Sequence, residues 1–388
     1  IFMSGYGSRD HPAEGKLTDL WAKALALRDP LGNRAVVITL DLIGLDRGMS
    51  QQICGQLQEK HDLQRRQVAI CTSHTHTGPA VGRNLAPLHY LLLDEDQQAA
   101  IDSYTEKLIA NIIQVVDAAI AAMEPSRLSW GSGHCTVAVN RRNNSEAKVP
   151  ELRKAGQLVG PSDHDVPVLA VRSPQGELKT VLFGYACHST VLSFYKWSGD
   201  YPGFAQAHLE QLQPGVTAMF WAGCGADQNP LPRRQVEQAK QYGARLAAAA
   251  NEVLKGTMKQ INGNLATYYD EVDLPLDTLP SKQDLEAATR SSNRYEVSRA
   301  KMLLAQIDNG KPLSQTYPYP VATWKIGDDV RWVVLGGEVV VDYALRTKLE
   351  IGGRSTWVAG YSNDVMAYIP SRRVLTEGGY EGGGSMVY

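Results

Sequence analysis

The sequence predicts an α/β fold, with mixed sheets flanked by helices, in one domain. Three observations predict it. Short apolar runs that end in turn residues alternate with longer amphipathic segments. Two runs, 166–172 and 179–186, flank Ser173-Pro-Gln-Gly176 and read as a hairpin, which a strictly parallel sheet would lack. No internal repeat or low-complexity linker divides the 388 residues.

The elements follow in chain order. Residues 35–41 read as a buried strand, and Gly48-Met-Ser50 leads into a helix over about 49–61. Gln67-Val-Ala-Ile-Cys71 is a second strand. Residues 95–123 repeat apolar positions at helical spacing, from Ile101 through Ile109, Ile112 and Val116 to Ile120, and Pro125 ends them. A strand region opens at Leu128 and runs on to Val139. Polar residues 140–162 read as a loop. After the hairpin come a strand at 217–221, helices over 234–256 and 282–308, and strands at 332–335 and 356–359.

Composition narrows the function. Hydrophobic residues make up 43% and charged residues 21%, ordinary for a globular domain, and the net charge is −2. A balance this near neutral gives no electrostatic argument for nucleic acid or an anionic membrane. No apolar run predicts a transmembrane segment, because Asp102, Glu106, Lys107 and Asp117 interrupt the longest candidate. The five cysteines form no CxxC pair and no disulfide framework; one disulfide is conceivable but unspecified. Oligomeric state is not specified. The chain opens at Ile1 without an initiator Met, which leaves the compartment open.

The chemistry concentrates where strands end. Cys71-Thr-Ser-His-Thr-His-Thr-Gly-Pro79 puts His74 and His76 two residues apart, so an extended backbone turns both to one side. That suits a metal ligand beside an acid/base group, and it equally suits two ordinary polar loop residues. Tyr185-Ala-Cys-His188 repeats the pattern of apolar strand, then histidine, then hydroxyls. Gly225-Ala-Asp227-Gln228-Asn229-Pro230, Gly336-Gly-Glu338 and Tyr361-Ser-Asn363 also follow apolar strands, and Tyr368 lies just beyond. Strand-end loops are where sheet proteins place sites. Each segment has a bland reading as a hydrogen-bonded core residue, a turn or a helix start. The number of such ends shifts the balance.

In order along most of the chain, these segments resemble the N-terminal catalytic domain of the neutral/alkaline non-lysosomal ceramidases. Met3-Ser-Gly-Tyr6 is similar to that family's opening Met-x-Gly-Tyr. Ser73-His-Thr-His-Thr-Gly-Pro79 resembles its Thr-His-Thr-His-Ser-Gly-Pro, the most specific piece. Val139-Asn-Arg141, Ala186-Cys-His188-Ser-Thr190, Ser198-Gly-Asp200, Gly337-Glu338, Asn363 to Tyr368 and Gly379-Tyr-Glu-Gly382 match further motifs. The resemblance implies a zinc-dependent hydrolase with one Zn2+ per chain, held by His74, His188, Glu338 and Tyr368. Two imidazoles and a carboxylate are ordinary zinc ligands; iron or manganese also accepts them. Arg141 and Tyr380 match family positions that contact the scissile amide, so the resemblance implies them as catalytic groups; His76, facing the same side as His74, is the candidate for proton transfer, and Asp227, Gln228, Asn229 and Asn363 are expected to bind substrate.

The substrate implied is small or amphipathic and lipid-like, with an amide (N-acyl) bond to be cleaved. An ester or glycosidic bond is the alternative, as is a non-catalytic binding homologue. Arg83, Arg141 and Arg142 would suit an anionic substrate group. Two departures bear on this. Gln228 stands where the family has a serine, which puts ceramide itself in question. The chain ends soon after Tyr-Glu-Gly, so no C-terminal immunoglobulin-like domain is expected. A secreted or periplasmic location is expected, with a cytoplasmic one open. Asp200 is expected to cap a helix starting near Pro202 rather than to bind a second cation.

Overall fold

A computed structural model describes residues 1–384. Three sheets carry the architecture. A three-stranded sheet runs Ala22–Arg28, Arg34–Leu40, Val68–Thr72. A five-stranded sheet runs Thr217–Ala222, Leu178–Tyr185, Asp165–Arg172, Arg127–His134, Lys259–Gln260. A four-stranded sheet runs Leu265–Pro275, Thr316–Ile326, Val330–Leu335, Thr356–Ala359.

Period-two alternation explains how these sheets stack. On the 178–185 strand, Val181, Phe183 and Tyr185 face a core shared with helices Asp200–Leu212 and Val236–Lys255. Leu182, between them, faces the opposite core. The 217–222 strand does the same, with Phe220 on one side and Met219 and Trp221 on the other. The second core also takes Ala69 and Cys71, Trp324, Trp332 and Trp357 from the other two sheets. The far face of the three-stranded sheet is covered by helices Arg47–His61 and Glu95–Ala121. The result is helix, sheet, sheet, helix. Strands buried on both faces read as continuous apolar runs, which is why the sequence exposed them.

Four tryptophans, Trp221, Trp324, Trp332 and Trp357, are fully buried between the sheets. Each large side chain removed from water there stabilises the fold by roughly 1.5–3 kcal/mol. Gly184 makes room for one of them: a Cβ at this position would lie 2.2 Å from the Trp221 ring. Trp221 is the neighbour of Gly184 on the adjacent parallel strand, so the ring lies across the strand that leads to His188.

The long 95–121 helix starts where capping rules place it. Asp94 accepts the Gln97 amide, and the Gln97 side chain reaches back. Other expectations needed correction. Residues 282–308 are two helices, Lys282–Ala288 and Arg294–Asp308; Asn293 caps the second by accepting the Tyr295 amide. The 140–162 loop contains a helix at Val149–Ala155, opened by a proline in its first turn. The 200–212 helix begins at Asp200 itself. Its buried carboxylate accepts the Tyr201 amide and also the Leu192 amide, so it ties a loop to the helix as well as closing the helix end. All five cysteines are free and buried. Among the described residues no helix is long and apolar enough to cross a membrane.

What positions the site is the parallel pairing. Strand 68–72 pairs parallel with 34–40, 178–185 with 217–222, and 330–335 with 356–359. Loops leaving these strands are joined by bridges between Thr75 and Ser189, Cys71 and Ser362, and Gly223 and Ala359.

Candidate metal centre

His74 lies two residues beyond the 68–72 strand, in left-handed backbone at φ 55°. That conformation is costly outside glycine, and it aims the ring inward. His74 Nδ1 lies 2.6 Å from the Ile43 carbonyl, and His188 Nδ1 lies 2.9 Å from the Gly225 carbonyl. A carbonyl only accepts, so each Nδ1 carries the proton and each Nε2 presents a lone pair. Glu338 follows the 330–335 strand, and its short strand Glu338–Val339 pairs with Tyr368–Ile369.

Three atoms then meet. His74 Nε2 and His188 Nε2 are 3.2 Å apart, and Glu338 Oε2 is 3.2 Å from each. Tetrahedral ligands at 2.0–2.1 Å from zinc stand about 3.3 Å from one another. The triangle therefore has the edge a zinc ion needs. All three residues are buried, and Glu338 Oε2 has no hydrogen-bond partner. Extra protons are a poor substitute for a cation. Burial, with Arg141 nearby, pushes His188 down to about 4. Burial alone would raise the Glu338 carboxyl, yet positive charge on the facing imidazoles holds it well below the usual range. A metal ion supplies that charge without protons.

Two groups flank the triangle. Tyr368 Oη is 3.5 Å from His188 Nε2, and its ring stacks on that imidazole. Burial, then Glu338, pushes its phenol well up, while Arg141 pulls it down. His76 Nε2 is 3.2 Å from His74 Nε2. The three imidazoles offer nitrogens within 4.8 Å of one another, so His76 is within reach of the same ion. Its Nδ1 is buried without a partner. Burial, then His74 and His188, holds it well below the usual histidine range.

Arg141 joins the cluster from the opposite wall. It donates to Tyr368 Oη at 3.1 Å and to Glu381 Oε1 at 2.7 Å, and its Nη1 reaches Asn229 Oδ1 at 3.4 Å. Burial works against its charge, but Tyr368 and Glu381 keep it protonated more firmly than usual. Tyr380 packs edge-on against Tyr368 and is 57% exposed, so it stands at the rim.

The structure brings together His74, His76, His188, Glu338, Tyr368, Arg141, Asn229 and Tyr380. It gives three other expected residues structural duties. Asp227 Oδ1 accepts the Val341 amide and caps the helix Val341–Ile351. Gln228 spends one amide end on the Ala186 carbonyl and the other on the Asp163 amide. Asn363 accepts the Ile70 amide. Asp227 and Gln228, expected to bind substrate, are fully buried with these polar atoms engaged, and Asn363 is tied to the 68–72 strand. The arginines considered for an anionic group have carboxylate partners. Arg83 pairs with Asp102, and Arg142 pairs with Glu381 and Glu377.

Two residues were missed. Glu381, 3% exposed at its side chain, bridges Arg141 and Arg142. Its signal was its place inside the Tyr-Glu-Gly motif. The Tyr361 ring lies against the His74 ring, centroids 4.2 Å apart and tilted by 32°, and its hydroxyl is 3.4 Å from His188 Nδ1. Gly5 also matters, since at φ 100° a Cβ would lie 2.7 Å from His76 Cα.

The Gly5 amide donates to His89 Nε2 at 3.4 Å. Burial, then Arg9, pushes His89 from 6.5 down to about 4. The folded state thus binds this proton less readily than the unfolded chain. Stability from the neutral ring is full above pH 6.5 and is lost as pH falls towards 4. His89→Gln is expected to flatten this acid loss by on the order of 3 kcal/mol, read from urea unfolding across that window. An unchanged pH slope would contradict it.

Comparison with known proteins gives consistent results. The sequence profile described as neutral/alkaline non-lysosomal ceramidase, N-terminal, matches residues 1–220. The neutral ceramidase of Pseudomonas aeruginosa is 23% identical over an alignment that covers all of this chain and 67% of that protein. A solved ceramidase complexed with C2 superposes with a TM-score of 0.76 at 20% identity, covering all of this chain and 70% of that one. The crystal structure of the Pseudomonas aeruginosa neutral ceramidase gives 0.73 at 21% identity, covering 99% and 68%.

Proposed function

Because this chain belongs to the neutral/alkaline non-lysosomal ceramidase family, we propose that it is a zinc-dependent amidase acting on the N-acyl bond of an amphipathic, lipid-like substrate. The observation that carries this reading is the closed 3.2 Å triangle of His74, His188 and Glu338. His74, His188 and Glu338 would hold the ion, with Tyr368 beside them. Bound zinc would lower the pKa of a coordinated water and polarise the amide carbonyl.

The chain's own residues supply the rest. His76, whose Nε2 stands 3.2 Å from His74 Nε2, would take a proton from the attacking water and pass it to the departing amine. Arg141 donates to Tyr368 Oη, and its charge would stabilise negative charge developing on the carbonyl oxygen. Tyr380 offers an aromatic rim for an apolar chain. Gln228 lies behind the site with both amide ends engaged, so the departure at this position removes no group from the site described.

The test is turnover by the zinc-loaded protein on matched N-acyl, O-acyl and glycoside substrates bearing one alkyl chain. The N-acyl compound is expected to be cleaved with the highest kcat/KM. Cleavage of only the ester or glycoside would move the bond class. Tight zinc with no turnover on any of them would favour a binding protein.

A further inference from the structure

Of the three clustered histidines only His76 keeps any exposure, 9% against 0% for His74 and His188, so the histidine cluster meets solvent through His76. Tyr6 lies on that side, with its ring centroid 4.9 Å from that of the His76 imidazole. The Tyr6 hydroxyl donates to the Leu192 carbonyl at 3.0 Å and accepts from Arg234 Nη1 at 3.1 Å. The Arg234 guanidinium carbon stands 5.5 Å from the Tyr6 ring centroid. One aromatic ring therefore separates His76 from a cation at the surface.

Arg234 is exposed, yet its place is fixed. Its backbone is held at φ 99°, a conformation that is costly outside glycine and persists where surrounding contacts enforce it. Its amide donates at 2.7 Å to the carbonyl of Val191, just beyond His188. Nearby carboxylates are engaged elsewhere. Glu146 pairs with Arg233, and the buried Asp200 accepts the Leu192 and Tyr201 amides. Among the described residues no carboxylate stands within ion-pair distance of Arg234. Arg83, Arg141 and Arg142 are all paired, so Arg234 differs from them in keeping its charge unmatched.

We propose that Arg234 selects substrates whose amine portion carries an anionic group, a carboxylate or a sulfonate. This rests on the amidase reading, in which His76 passes a proton to the departing amine. The amine then lies beside His76, and what it carries extends past Tyr6 towards Arg234. A guanidinium with Nε and Nη2 left to donate suits either group. Tyr380, the rim residue for the apolar chain, is reached through a different neighbour, Tyr368, which stacks on His188. The two ends of the substrate thus meet different rim residues.

Calorimetric titration of the zinc-loaded wild type, Arg234→Gln and Arg234→Lys tests this. The probes are uncleavable single-chain ethers, below their micelle concentrations, that end in a carboxylate, a sulfonate or a neutral hydroxyl on a short spacer. The wild type is expected to bind at least one anionic ether about fivefold or more tightly than the hydroxyl ether. Arg234→Gln should remove that preference and leave the Kd of the hydroxyl ether unchanged, while Arg234→Lys should keep part of it. An anion drawn to the zinc would be drawn equally in Arg234→Gln, so the difference between the two proteins reads the arginine alone. A preference for one anionic ether only would specify the group. No preference in the wild type, absence of binding included, or a preference that Arg234→Gln keeps in full, would overturn the proposal. Turnover of N-acyl compounds with the same end groups separates the two readings. Preference for the anionic ether without amide cleavage would sink the amidase reading alone, and cleavage without preference would sink this inference alone.

Discussion

Glu338→Gln is expected to release the metal and to abolish measurable turnover. The substitution keeps the shape of the side chain and removes its charge. In the wild type, Oε2 closes the triangle at 3.2 Å from both imidazole nitrogens and has no other partner. An amide oxygen in its place is a neutral and much weaker ligand. Outer-sphere partners of a metal cost about 10–100-fold in affinity when removed, so loss of a ligand should cost more than that. Activity at limiting zinc should fall by about 10³-fold or more, and excess zinc should restore only part of it. Circular dichroism and the unfolding midpoint of the variant would establish that the fold survives. Full zinc content with wild-type turnover would contradict the assignment of Glu338.

His76→Gln separates chemistry from metal binding. The ring touches His74 at 3.2 Å, and its Nδ1 is free. If His76 moves a proton, kcat should fall by about 10²–10⁴-fold while zinc content stays near that of wild type. Zinc lost together with activity would instead make His76 a ligand, which the 4.8 Å grouping of the three histidines also permits. Elemental analysis and steady-state kinetics on the same preparation distinguish the two.

The parts of the site legible in the sequence were those tied to strand ends. His74, His188 and Glu338 each follow a strand buried on both faces, and such strands announce themselves as apolar runs. Facing could not be read. Asp227, Gln228 and Asn363 sit in the same kind of loop as His74, His188 and Glu338, yet their polar atoms hold backbone groups, because loop side-chain direction is set by tertiary contacts. Glu381 was marked only by its place inside the Tyr-Glu-Gly motif, and its role was hidden for a similar reason. Its role depends on Arg141 and Arg142, some 240 positions away.

The fold shows the same division. The Leu265–Pro275 and Thr316–Ile326 strands pair along their full length, but much of the first is exposed and acidic, so no apolar run marked it. The Ala22–Arg28 strand is a sheet edge, only partly buried, and alanine and leucine there gave little β signal. The break between the two helices of 282–308 lay in Ser291, Ser292 and Asn293, a cap signal that the periodicity on either side concealed.

In the proposed centre, His74, His188 and Glu338 hold one zinc ion. Elemental analysis of the purified protein, and of the variant carrying His74→Ala with His188→Ala, tests it most directly. About one zinc per chain is expected in the wild type and none in the variant. A wild type that takes up no metal when zinc is supplied, or a variant that keeps its zinc, would contradict it.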